Sequence, residues 1–143
     1  MVFNIFHVYN EVMPANSYVL GRSREHNLLS KLRMNGWFAI RGSGSKAGMV
    51  LVDGKKYFPI DIISVRKEKK KTIVWFIQVS KYLSDIDEIE RKYLVKWAEK
   101  VGAEPVLAWT FEKRRKANPK RGKWEFYNLI SKEYIELSNK NPE

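Results

Sequence analysis

The residues best placed to do chemistry lie in the stretch 57–81. Asp61 stands inside an apolar, β-branched run, Pro59-Ile60-Asp61-Ile62-Ile63-Ser64-Val65. A second apolar run, residues 72–79, ends in the polar sequence Gln78-Val79-Ser80-Lys81. Between them lies the charged segment Arg66-Lys67-Glu68-Lys69-Lys70-Lys71. This spacing predicts two paired strands joined by a polar turn, with an Asp on one strand facing polar residues on its neighbour. A polar group on a buried strand must be hydrogen-bonded or coordinated, because it has lost its water. The chain has no Cys and two His. That excludes a disulfide framework, a thiolate zinc site and a Cys nucleophile, and it disfavours a His-rich zinc site. Any metal held here is a hard cation with oxygen ligands.

The elements that must position these groups follow from periodicity. Residues 23–35 read as a helix with Leu28, Leu29 and Leu32 on its apolar face, Ser23 as N-cap and Gly36 just past its end. Glu25 falls in the first turn of that helix, where a carboxylate complements the helix dipole. Residues 37–40 read as a short strand, residues 49–52 as another, and Asp53-Gly54 as a hairpin turn. The clearest helix runs from Ser84, as cap, to Gly102. Its stripe is Ile86, Ile89, Tyr93, Leu94, Trp97 and Val101. Residues 105–111 and 124–127 are strands, and residues 128–143 read as a terminal helix or turn and then a frayed tail. Upstream, Val2, Ile5, Phe6, Tyr9 and Met13 follow a helical spacing that Pro14 stops, with a short strand as the alternative.

The net charge of +11 and the pI near 9.8 favour a polyanionic partner, most simply nucleic acid. Two stretches could touch a phosphate backbone. Arg41-Gly42-Ser43-Gly44-Ser45-Lys46 is a small, basic loop without the GK[ST] ending of a Walker loop. Lys113, Arg114, Arg115, Lys116, Lys120 and Arg121 form a basic tip between two aromatic strands. That tip reads either as a DNA contact or as an edge guarded by charge. Arg22 and Arg24 are further candidates. No apolar run has membrane length and no secretory signal is evident, so a cytoplasmic, intracellular location with DNA is expected.

The order of these elements, with their residues, resembles the archaeal Holliday junction resolvases, within the PD-(D/E)xK nuclease superfamily. The resemblance spans about residues 21–127 and rests on four places. They are Gly21-Arg22-Ser23-Arg24-Glu25-His26-Asn27-Leu28-Leu29, the basic loop at 41–46, Pro59-Ile60-Asp61-Ile62-Ile63, and Ala98-Glu99-Lys100-Val101-Gly102-Ala103-Glu104-Pro105. It implies an α/β fold, a central mixed β-sheet flanked by helices, restriction-endonuclease-like. The implied domain plan is an N-terminal extension at 1–20, a nuclease domain at 21–130 and a C-terminal tail at 131–143. It implies branched, four-way double-stranded DNA as partner and a homodimer that matches the junction's twofold symmetry. Val2, Phe3, Ile5 and Phe6, or aromatics such as Trp109 and Trp124, are candidates for the dimer interface.

The resemblance also implies metal-dependent phosphodiester hydrolysis with Mg²⁺ or Mn²⁺ as cofactor. Carboxylates would stand at Glu25, Asp61 and position 78, and a Lys at position 80. Here the sequence departs, with Gln78 and Ser80. Gln78 still offers a carbonyl oxygen but no negative charge. Ser80 cannot replace an ammonium. Lys81 is adjacent, but strand alternation turns it to the opposite face unless a bulge follows Val79. The expected metal ligands are therefore Glu25, Asp61 and Gln78, with Lys81 completing the catalytic set. The triplet Glu68-Lys69-Lys70 also spells E-x-K, but in the turn, where it reads as solvated charge. Three functions remain open. They are a working endonuclease with a variant site, a catalytically impaired relative that binds branched DNA as a structural or regulatory factor, and a basic α/β domain that binds RNA or protein.

Overall fold

In the computed structural model the described residues are 17–42, 49–80, 87–110 and 123–137, with side chains described from residue 23 onward. Helix α1 (Ser17–Met34) leads into β1 (Phe38–Arg41). A small hairpin of β2 (Val50–Val52) and β3 (Lys55–Tyr57) follows. Then come β4 (Ile62–Glu68), β5 (Lys71–Ser80), helix α2 (Glu88–Val101), β6 (Glu104–Thr110), β7 (Trp124–Asn128) and β8 (Glu133–Ile135). Six strands form one sheet in the order β1-β4-β5-β6-β7-β8, and β2 pairs only with β3. β5 and β6 are parallel, joined through α2, and the other pairs are antiparallel. The mixed sheet flanked by helices expected from the sequence is present. Among the described residues no helix is long and apolar enough to cross a membrane.

Strand alternation sorts the core into two layers. On one face Leu28, Leu29 and Leu32 of α1 pack with Trp37, Ile62, Trp75, Ile77, Val106, Ala108 and Phe126. On the other face Leu94 of α2 packs with Leu107, Trp109, Phe76 and Tyr127. β6 is buried on both faces from Pro105 to Trp109, as a central strand of a mixed sheet must be. The two helices thus hold opposite faces, and both approach the end of the sheet where β4 begins and β5 ends.

Several boundaries differ from the expectation. α1 starts at Ser17, so Ser23 is not its cap. Serine costs a helix interior only a few tenths of a kcal/mol, too little to stop it. Asp87, not Ser84, caps α2, with its side chain accepting from the Ile89 N–H at 2.8 Å. Asp61 stands just before β4 rather than in its middle, because Pro59 has no N–H to give a ladder. At the other end β4 and β5 stay paired to Glu68↔Lys71, which narrows the expected turn to Lys69-Lys70. Arg66, expected in that turn, is buried and lies over the Trp37 ring. Val101, expected on the apolar stripe of α2, is exposed. After residue 128 the expected turn is present, followed by β8, which pairs with β7. Trp109 is buried in the core and so is not exposed for an interface, while Trp124 is half-buried and packs against the α1 layer. Other expectations hold. Asp53 and Gly54 both take positive φ in a two-residue turn, and Gly36 and Gly102 take left-handed φ at the helix ends. The 1–16, 43–48, 81–86 and 111–122 stretches, with the upstream helical pattern, Ser43, Ser45, Lys46, Lys81 and the cluster Lys113 to Arg121, lie outside the described residues.

Burial predicts unequal costs of truncation. Ile77→Ala, at a fully buried position, should cost about 2–5 kcal/mol in urea denaturation. Leu51→Ala, on the exposed face of the β2–β3 hairpin, should stay within about 0.5 kcal/mol.

Candidate active site

Glu25 lies on α1 at the spacing i, i+3, i+4, i+7 with Leu28, Leu29 and Leu32, so it extends the apolar stripe by one turn. It is only 7% exposed. Since α1 begins eight residues earlier than Glu25, at Ser17, the residue is not in a first turn and does not serve the helix dipole. Instead its Oε2 accepts from Arg41 Nε at 2.7 Å, across from the end of β1. The expected phosphate contact Arg41 therefore has a second task, to neutralise a buried carboxylate.

Asp61 is held from both sides by backbone. Its N–H donates to Ile77 O at 2.9 Å, and its own carbonyl accepts from Gly42 N–H at 2.7 Å. Its Oδ2 accepts from the Val79 N–H at 2.8 Å. Gly42 eases this approach, since a Cβ there would stand 3.2 Å from the Ile60 carbonyl oxygen, a tight contact. Burial raises the Asp61 carboxyl well above its ordinary range, and the charges of Glu25 and Glu90 and a hydrogen bond with Glu25 push it the same way. The Val79 N–H opposes them. Asp61 thus stands between two other carboxylates.

Gln78 is one strand over, on the α2 face of β5 with Phe76 and Ser80, and is 5% exposed. Its Nε2 donates to Glu90 Oε2. Its Oε1 is buried and has no hydrogen-bond partner among the described residues. Glu90 is in the first turn of α2. Burial and nearby Asp87 raise its carboxyl, while the Gln78 hydrogen bond and the charge of Lys55 on β3 lower it. Ser80 is buried on the same face as Gln78. The β5–β6 ladder stays in register through Ser80↔Trp109, so no bulge follows Val79 to turn the chain inward. Glu68, Lys69 and Lys70 are exposed at the far end of the β4–β5 pair, as expected of solvated charge.

The structure therefore brings Glu25, Asp61 and Gln78 to one end of the sheet, with Arg41 beside them. It adds Glu90, an acid in the first turn of α2 that the sequence alone does not single out. Among the described residues no three of His, Cys, Asp and Glu converge closely enough to hold a metal by themselves. The oxygen donors at this end of the sheet are the Glu25 and Asp61 carboxylates and, on the α2 face beside Glu90, the Gln78 amide oxygen. All are oxygens, as a hard divalent cation requires. The unpartnered Gln78 Oε1 fits such an ion.

Ionisation of Asp61 should be a liability of the metal-free fold. A carboxyl whose folded pKa lies above its unfolded value carries no penalty in acid and costs stability as pH rises through the raised value. Asp61→Asn keeps an acceptor for Val79 N–H and gives Glu25 a permanent donor. In chelator-treated protein it should raise Tm at about pH 8, with the gain fading towards about pH 4, where carboxyls are protonated anyway. Calorimetry across that range checks it, and a lower Tm at the alkaline end contradicts it.

A family model described as archaeal Holliday junction resolvase (Hjc) matches residues 16–138 of the chain. A similar solved structure is that of Hjc from Archaeoglobus fulgidus, a Holliday junction resolvase from an archaeal hyperthermophile. It is 23% identical over 76% of each chain, with a TM-score of 0.48. No curated protein matches.

Proposed function

This chain belongs to the archaeal Holliday junction resolvase family, and from that premise we propose that it binds four-way DNA and cleaves it by divalent-metal-dependent phosphodiester hydrolysis, with Mg²⁺ or Mn²⁺ at Glu25, Asp61 and Gln78. One observation carries the reading. A half-buried carboxyl whose neighbours are also carboxylates shares one end of the sheet with a buried amide oxygen that has no hydrogen-bond partner among the described residues. Such a grouping is costly as a core and sensible as a cation site.

A bound divalent ion would supply an activated water near neutral pH and would neutralise charge at phosphorus. The chain's own residues do the rest. Val79 N–H and the backbone of Gly42 and Ile77 fix Asp61. Arg41 fixes Glu25. We assign the attacking water or the developing phosphate charge to Lys81, which, since no bulge follows Val79, would reach the site only through a bend of the chain after Ser80, the last paired position of β5.

Substrate and assembly follow from charge and surface. With a net charge of +11, we assign phosphate contacts to Arg22, Arg24, Arg41, Ser43, Ser45, Lys46 and the cluster Lys113, Arg114, Arg115, Lys116, Lys120 and Arg121. Recognition follows branch shape rather than base sequence. A homodimer would present two sites to the two symmetric strands of a junction. Its interface is supported by edge strand β1, where Phe38 and Ile40 are 65% and 44% exposed. They lie on one face with their register partners Val65 and Ile63. We favour this apolar surface as the seam over the buried Trp109 and the half-buried Trp124, and Phe38→Asp with Ile40→Asp should convert a dimer to a monomer in light scattering.

The test is a synthetic four-way junction beside linear duplex, by gel shift and by cleavage with Mg²⁺ and Mn²⁺. Paired, metal-dependent nicks should appear and vanish in Asp61→Ala, with Lys81→Ala strongly slowed. Junction affinity should fall by roughly 10³-fold between about 50 and 200 mM salt. The departures at Gln78 and Ser80 favour a second reading, an impaired relative acting as a structural or regulatory factor on branched DNA. Tight junction binding without cleavage selects it. Equal, weak binding to junction and duplex overturns both.

A further inference from the structure

The substitution at position 78 removes a negative charge from the place where the family resemblance expects a carboxylate. Glu90 lies against that same side chain, on a different element. A carboxylate only accepts hydrogen bonds, so the amide of Gln78 must turn its NH₂ towards Glu90 and its oxygen away. That oxygen is buried and has no hydrogen-bond partner among the described residues. Had the amide been free to turn, either end could have met the site. With Glu90 in place, only the end that can bind a cation does.

We propose that Glu90 is a positioning residue of the metal site, which orients the Gln78 amide so that Oε1 is presented as a ligand and returns, one residue removed, the negative charge that position 78 has lost. Glu90 is well placed for this. It is in the first turn of α2, anchored by the Asp87 cap. Its charge is felt by Asp61 in the neighbouring strand entry. A hydrogen-bonded carboxylate behind a ligand also raises the electron density on the ligating oxygen. The pair Gln78–Glu90 thus takes the place of one directly ligating carboxylate, with the helix supplying the charge and the strand supplying the contact.

This inference rests on the metal-site reading above, and the test separates the two. Mn²⁺ binding to the whole protein is measured by electron paramagnetic resonance, without DNA and without turnover. Wild type is compared with Asp61→Ala, Glu90→Gln, and the exchange Gln78→Glu with Glu90→Gln. Glu90→Gln has the same size, removes the charge and offers a donor as well as an acceptor, so the Gln78 amide is no longer held one way round. It should weaken Mn²⁺ binding at least about tenfold with little change in Tm. The exchange variant, with the acid on the strand and the amide on the helix, should recover wild-type affinity or exceed it. A merely structural Glu90 predicts unchanged affinity in Glu90→Gln and no rescue, and that result overturns the inference while leaving the site reading intact. Should Glu90→Gln fail to fold, the exchange variant beside Gln78→Glu alone decides, since only a paired role makes the double variant the tighter binder. Wild type that binds no Mn²⁺, or binds it equally well in Asp61→Ala, overturns both.

Discussion

Taking a carboxylate out of water is among the most expensive things a protein can do, and here the half-buried Asp61 has two more carboxylates in electrostatic reach. Much of the end of the sheet reads as a response to that constraint. The Val79 N–H, which a regular ladder would give to a carbonyl, goes to the Asp61 side chain. Gly42 lets the chain after β1 come close enough to pair with the Asp61 carbonyl. Arg41, placed by that same approach, meets Glu25. Gln78 hands its donor to Glu90 and leaves its acceptor unmatched. Arg41 offsets the charge of Glu25, but none of these groups brings a positive charge to Asp61 itself. A divalent cation would.

The rest of the fold gives these groups a rigid frame. α1 carries Glu25 because the stripe that buries Leu28, Leu29 and Leu32 continues to it. α2 carries Glu90 because Leu94, one turn on, is locked into the layer formed by Leu107 and Trp109. The two helices lie on opposite faces, so carboxylates from each can meet only at the end of the sheet, around the β4 entry and the β5 exit. Central burial of β5 and β6 fixes where that end is. The position of the chemistry is thus a consequence of the two core layers.

How much of this could be read in the sequence depends on range. Asp61 and Gln78 were legible because a polar residue in an apolar run is a local anomaly. The turn residues Asp53-Gly54 and the closing Gly102 were legible because positive φ has a narrow residue vocabulary. Glu25 was named through the resemblance, and its spacing with three leucines is a local mark that the dipole reading missed. The boundary near Ser23 is misplaced because a serine six residues inside a helix costs only a few tenths of a kcal/mol, and the boundary near Ser84 because Asp87, three residues on, is an equally good cap. Glu90 had no local mark at all. An acid in a first helical turn is ordinary, and only the crossover from β5 through α2 to β6 sets it against Gln78. Its role is a property of tertiary placement.

The central claim is that the end of the sheet is a divalent cation site whose ligands include an amide oxygen. The most direct measurement is a crystal of the protein grown with Mn²⁺ and examined by anomalous scattering. The account predicts one strong peak in each protomer that touches the Asp61 carboxylate and Gln78 Oε1, with Gln78 Nε2 still on Glu90. A peak elsewhere, or a site left empty at saturating Mn²⁺ with Gln78 Oε1 bonded to protein, would contradict it.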